Sequence, residues 1–249
     1  YAYTIGNRDL FARVKDNADL SYSLSYGSYN EITFNNYGPV FSATQKLNPF
    51  AVPAIREAMN YLVDRDYIVQ EIMGGLAAPR FTALSTAFSD YAKYADVARA
   101  VELQYAYNPD KAKEIFDAEM VKIGATIEGG KYMYNGEPVT LIFLIRTEDE
   151  RRLIGDYVST QLENIGFVVD RQYKRSSEAS PIWVRSNPGD GLWHLYTAGW
   201  VTTAISRDDG SNFGFFYLPD YYPIPLWQTY VNTPEFTEVA QGAVRATKG

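Results

Sequence analysis

The chain has 249 residues, 46% apolar and 21% charged, with a formal charge of −7 and a pI near 4.9. That is enough for a real hydrophobic core in one large domain or two small ones, and the acidic balance excludes a nucleic-acid partner, whose phosphates require a basic face. No run approaches the roughly 18 apolar residues that span a bilayer, and with no cysteine and a single histidine there is no disulfide, thiolate site or multi-histidine metal site.

Leu20, Tyr22, Leu24 and Tyr26 alternate with polar residues, followed by Ile32 and Phe34, which predicts two strands interrupted by Gly27. Pro53 opens a helix with Ile55, Met59 and Leu62 on one face. A second helix carries Ile68, Val69, Ile72 and Met73 and stops at Gly74-Gly75. The tyrosine-rich stretch 77–107 reads as a long irregular loop over the core. Asn108-Pro109 caps and starts a helix through Ala112, Ile115 and Phe116 that Gly124 ends. "KYMYNGEPVTLIFLI" reads as a hairpin turned at Asn135-Gly136, with Val139 to Ile145 a buried strand. Thr147-Glu148-Asp149-Glu150 has capping-box spacing before an apolar face of Leu153, Ile154, Tyr157, Val158, Leu162 and Ile165. Gly166 closes that helix and "FVVDRQY" is a strand, so the unit is βαβ with a parallel pair expected. A short helix near 177–187 and a strand from Leu192 to Ala198 extend an α/β sheet with packed helices.

Candidate chemistry is sparse. A Ser-His-Asp triad would need His194, which falls mid-strand with no Gly-x-Ser-x-Gly elbow in the chain. Asp208-Asp209 is most economically a solvated loop or an ion pair with Arg207, because adjacent side chains diverge. Gly74-Gly75 and Gly129-Gly130 lack a phosphate-loop pattern. No enzyme and no cofactor are expected. Aromatic residues make up 15% of the chain, with 21 Tyr and 4 Trp. Core packing accounts for most of them, and a ligand surface is the alternative use, since these rings give large contact area with a polar tip.

"LNPFAVPAIREAMNYLVDRDYIVQEIMGGLAAP", Leu47 to Pro79, is similar to the signature of family 5 of the extracellular solute-binding proteins, which serve peptide-class ABC importers. Arg56, Ala58, Asn60, Asp64, Arg65, Ile68, Val69, Gly75 and Pro79 carry the likeness. Three further stretches resemble the family in the expected order: "YNPDKAKEIFDAEMVKIGA", "VTLIFLIRTEDERRLIGDYVSTQLENIGFVVD" and "LYTAGWVTTAISRDDGSNFGFFY". The bland reading of Ile55, Met59 and Leu62 as core and of Asp64-Arg65 as a helix junction stands beside it, because such a signature identifies a fold.

The resemblance implies one lobe of a two-lobed, periplasmic-binding-protein-like fold (class II, peptide-type), an α/β lobe with a mixed sheet and packed helices. It places residues 1–249 in the second, inserted lobe of a longer protein, with 1–18 a hinge-proximal segment. It also implies that the strand ending Gly199-Trp200 and the segment around "YGSYNE" reach an inter-lobe cleft. Trp200, Tyr29 and Tyr26 are then the leading ligand contacts, with Trp193, Arg207, Asp208 and Phe213 behind them. Peptide-binding members usually carry an acid three residues past the tryptophan, here Thr203, and some carry a base three before it, here Thr197. That departure weakens the zwitterionic-peptide reading unless Arg207 and Asp208 take over, so a peptide stays ahead with an oligosaccharide as the alternative, and a scaffold that kept the fold stands behind both. The implied partners are a small-molecule ligand and membrane permease subunits. The implied setting is extracellular or periplasmic, with a monomer anchored at the cell surface in the full-length protein.

Overall fold

The computed structural model describes residues 8–23, 27–82, 85–86 and 89–200. In chain order the elements are α1 (Arg8–Val14), β1 (Tyr29–Phe34), α2 (Pro53–Leu62), α3 (Arg65–Tyr67, running into a wider π turn, Ile68–Ile72), α4 (Ser89–Lys93), α5 (Ala95–Gln104) and α6 (Pro109–Lys122). They continue with β2 (Thr126–Glu128), β3 (Lys131–Tyr134), β4 (Glu137–Pro138), β5 (Thr140–Arg146), α7 (Arg151–Asn164), β6 (Val168–Lys174), α8 (Ser176–Trp183) and β7 (Leu195–Trp200).

The main sheet has the order β1-β7-β5-β6. Strand β5 is parallel to both β6 and β7, and β1 is antiparallel to β7. The predicted βαβ unit is therefore present as β5-α7-β6. After β6 the chain crosses back over β5 through α8, so β7 lies beside β5 on the side away from β6. A small antiparallel sheet, β2-β3-β4, turns at Asn135-Gly136, where both residues have positive φ (51° and 81°) as a tight hairpin turn requires.

Alternation along β5 divides its side chains between two cores. Leu141, Phe143 and Ile145 join Ile55, Met59, Leu62, Phe116, Val158 and Leu162 beneath α2, α6 and α7. Leu144 joins Ala179, Trp193, Tyr196 and Ala198 beneath α8. Phe143 is wholly buried, so Phe143→Ala costs about 3–5 kcal/mol through lost transfer energy and the cavity left behind. Helix α7 lies close on the sheet because Gly155 has no side chain; a Cβ there would stand 2.6 Å from Ile145. Asn108 caps α6 as expected, its Oδ1 accepting the Lys111 N–H at 3.0 Å.

Four expectations are corrected. Leu20 and Tyr22 lie in no strand and are exposed, with Tyr22 meeting Phe11 edge-on instead of a sheet neighbour. The stretch 77–107 contains helices α4 and α5. Helix α5 buries only Ala98 and leaves Val97 and Leu103 exposed, so it has no apolar stripe for a periodicity argument to find. No capping box forms at Thr147–Glu150: Glu150 makes no side-chain cap bond, while Glu148 and Asp149 are drawn to arginines on either side. Leu153 faces solvent, at 53% exposure, and is not part of the α7 apolar face. Among the described residues, no helix is long and apolar enough to cross a membrane.

Candidate functional site

Ligands of open α/β sheets bind beyond the carboxyl ends of the strands, where consecutive connections depart in opposite directions. In this chain β5 and β7 are parallel neighbours whose carboxyl ends lie side by side, and the residues gathered there are polar and aromatic.

On the face shared with α8, Tyr29 stands opposite Trp200 across the β1–β7 ladder, and Glu31 stands opposite Ala198. The Trp200 indole N–H donates to Glu31 Oε1 at 2.9 Å, and the Thr33 hydroxyl donates to the same oxygen at 3.1 Å. The Arg80 guanidinium lies 4.1 Å from the centre of the Tyr29 ring, a cation–π contact. Burial pushes the Glu31 carboxyl above the usual carboxylate range, opposed by the bonds from Trp200 and Thr33 and by the Arg80 charge.

On the opposite face Gly199 pairs with Asn30. A Cβ on Gly199 would stand 2.8 Å from Arg151 Nη1 and 3.0 Å from Asn30 Oδ1, so the missing side chain is what admits the Arg151 guanidinium. Asp149 holds that guanidinium as a fork, with Arg151 Nε on Oδ1 at 2.7 Å and Nη2 on Oδ2 at 2.5 Å, and also accepts the Arg151 backbone N–H. Two parallel charge-assisted bonds fix the plane of the guanidinium and aim Nη1 across Gly199. Burial raises the Asp149 carboxyl, but the Arg151 bonds more than offset it and hold the group below the usual range.

Between these clusters, Arg146 closes β5. Its Nε donates to Glu148 at 2.6 Å, its Nη1 to the Tyr196 hydroxyl at 3.1 Å, and its backbone N–H to Thr197 Oγ1 at 2.8 Å. Glu148 also accepts the Ser176 N–H at 2.7 Å. Burial acts against the Glu148 charge, yet Arg146 and that N–H keep its pKa below the ordinary value. Trp183 stacks on Tyr196 at 4.8 Å and completes this wall.

Of the residues singled out from sequence, Trp200 and Tyr29 are half-buried neighbours at this edge. Trp193 is corrected: it is 1% exposed, packed in the α8 core, and has no surface to offer a ligand. Thr197 is buried and spaces β5 from β7. Tyr26, Thr203, Arg207, Asp208 and Phe213 lie outside the described residues. His194 is wholly buried just before β7. Its Nδ1 accepts the Ile142 N–H at 3.0 Å, which leaves the proton on Nε2 to donate to the Leu47 carbonyl at 3.3 Å. Burial lowers its pKa to about 4, so it is a neutral structural group.

Glu31, Arg80, Arg146 and Arg151 were missed. Only Glu31 had a sequence signal, its spacing of two from Tyr29 on a strand. The arginines read as surface charge until the strand order brings them together.

The profile of the bacterial extracellular solute-binding proteins, family 5 middle region, matches residues 3–220, and the chain belongs to this family. Among solved structures it is similar to the oligopeptide-binding protein AppA from Bacillus subtilis in complex with a nonapeptide, at 19% identity and a TM-score of 0.64 over 88% of this chain and 39% of that one. A mannohexaose-bound periplasmic oligopeptide-binding protein from Thermotoga maritima gives 19% and 0.65 over 89% and 39%. NikA from Brucella suis in complex with Fe(III)-EDTA gives 15% and 0.64 over 98% and 44%. No curated protein matches the chain. The neighbours are two-lobed and the chain spans one lobe, less than half the length of each.

Proposed function

We propose that this chain is the second, inserted lobe of the substrate-binding component of an ABC importer, capturing oligopeptides outside the membrane and delivering them to a permease, without catalysing a reaction. The whole protein acts as an anchored monomer, and residues 1–18 approach the hinge. The observation that carries the reading is the Trp200–Tyr29–Glu31 and Arg151–Asp149–Gly199 constellation around the carboxyl end of β7. Rings give stacking surface, and the fixed charges give polar partners for backbone amides and ionic termini.

Thr197 and Thr203 stand where some peptide-binding relatives carry charges. Here Arg146, Arg151, Glu148 and Asp149 bring charges of both signs to the same edge from β5 and the start of α7. That supports a zwitterionic ligand ahead of a neutral sugar. Contacts to two lobes are available only when the lobes close, so a ligand shifts the open–closed equilibrium by its preference for the closed form.

Extracting ligand from natively purified full-length protein and identifying it by mass spectrometry tests this directly. Thermal shifts with defined peptide and oligosaccharide pools separate the alternatives, because binding to the native state alone adds RT ln(1 + [L]/Kd). A peptide-dependent rise supports the reading. A rise with oligosaccharides alone replaces the substrate class, and no rise with either leaves a scaffold.

A further inference from the structure

Arg65, at the start of α3, has every guanidinium nitrogen occupied by neutral partners. Nη2 donates to Asn60 Oδ1 at 2.6 Å, Nη1 to the Asn60 carbonyl at 3.4 Å and Nε to the Arg80 carbonyl at 3.0 Å. The guanidinium also lies 4.2 Å from the centre of the Phe81 ring. No carboxylate forms an ion pair with it among the described residues. Loss of hydration lowers its pKa to about 10. A cation drawn from water without a counter-ion is costly, and a plain helix junction does not need one, since Asp64 already caps α3 by accepting the Tyr67 N–H.

What Arg65 holds is the backbone of 80–82. Arg80 Nε donates to the Thr82 carbonyl at 2.9 Å, and its guanidinium rests on Tyr29 with its charge favouring ionised Glu31. Two contacts therefore join α3 to the aromatic edge: Arg65 to the Arg80 backbone, then the Arg80 side chain to Tyr29.

We propose that Arg65 is a positioning residue for the ligand edge, acting through the 80–82 segment to hold the Arg80 guanidinium against Tyr29 and Glu31. This rests on the reading of the Trp200–Tyr29 edge as a ligand wall and adds the device that sets its charge. The groups facing Glu31 among the described residues are Trp200 from β7, Thr33 from its own strand and Arg80, of which Arg80 alone carries charge.

The test needs no ligand. In the full-length protein, the Glu31 side-chain carboxyl is followed by carbon-13 NMR against pH and assigned with Glu31→Gln. Arg80→Gln moves the titration midpoint to higher pH by removing a favourable charge. Arg65→Gln moves it the same way, and the double variant moves no further than Arg80→Gln, since both act through one group. Arg65→Lys keeps a charge but not the fork, folds more readily, and gives a smaller shift in the same direction. If both Arg65 variants lower Tm yet leave the midpoint at its wild-type value, or if the two single shifts add in the double variant, Arg65 is only a helix clamp and the proposal is overturned. Because the readout is a protein carboxyl, the result is independent of whether peptide binding is found.

Discussion

The two ends of the β1–β7–β5 ladder are built from opposite materials. At the amino end of β7, three buried polar residues carry no charge at all. Asn35 Nδ2 donates to the Pro188 and Trp193 carbonyls while its Oδ1 accepts the Tyr37 N–H; Asn48 Nδ2 donates to the Asn35 and Tyr37 carbonyls while its Oδ1 accepts the Phe50 N–H. His194 joins β5 to Leu47. At the carboxyl end, Glu148 and Asp149 stand at the surface, Arg146 and Arg151 lie largely covered beside them, and Glu31 is partly buried against the Trp200 and Tyr29 edge. Neutral amides satisfy buried backbone groups at modest cost and fix three loops in one geometry. Charges at a solvent edge contribute little to folding but can select a ligand. One end therefore supplies stability, and the other carries the charges and rings on which the proposed recognition rests.

The sharpest way to break this contrast is Asn35→Ala. It orphans the Trp193 carbonyl and the Tyr37 N–H in a buried site and takes one of two partners from the Pro188 carbonyl, so urea denaturation should show a loss of roughly 3–5 kcal/mol. A loss below about 1 kcal/mol would mean the amino end is not the stabilising one.

Acidification comes next. His194 has a folded pKa of about 4 against an ordinary 6.5, so the unfolded chain binds its proton more readily. The stability it supports is complete above pH 6.5 and declines as pH falls towards 4, by on the order of 3 kcal/mol. His194→Asn, whose Oδ1 can take the place of Nδ1 as acceptor, should flatten that part of the stability–pH curve.

At the other end, Gly199→Ala should separate affinity from stability. The new methyl meets the tips of the Arg151 and Asn30 side chains, which can swing away, so Tm should hardly move. Displacing Arg151 should weaken binding of a peptide that raises wild-type Tm by about tenfold, near 1.4 kcal/mol, measured by calorimetry. An equal loss of Tm would place Gly199 with the folding residues.

The smallest effect belongs to Glu31→Gln. Its raised pKa means that ionisation opposes folding, and the opposition is complete above the folded pKa and absent below the unfolded one. Glutamine keeps the acceptor for Trp200 without the charge, so Tm should rise slightly at pH 7 and match wild type in acid. A fall at pH 7 would show that the charge itself, paired with Arg80, holds the edge together.

Much of the architecture follows from local pattern. Pro53 with Ile55, Met59 and Leu62 defines α2, Asn108-Pro109 starts α6, and the apolar run from Val139 marks β5, because caps and periodicity are short-range signals. Helix α5 escaped because Ala98 is its only buried residue, so its helix formers carry no stripe. The capping box at 147–150 failed because α7 begins at Arg151, so Glu150 is itself the cap residue and does not lie three positions into the helix, where its side chain could reach back to Thr147.

The sequence by itself determined the family and the βαβ unit, and through the resemblance it named Trp200 and Tyr29 as candidates for one ligand surface. Tertiary structure alone decided which charges share that edge, that Trp193 belongs to the core, and that Arg65 reaches Tyr29 through Arg80. The physical reason is range: caps, turns and periodicity act over a few residues, whereas Glu31 meets Trp200 across 169 positions and only strand order brings them within hydrogen-bonding distance.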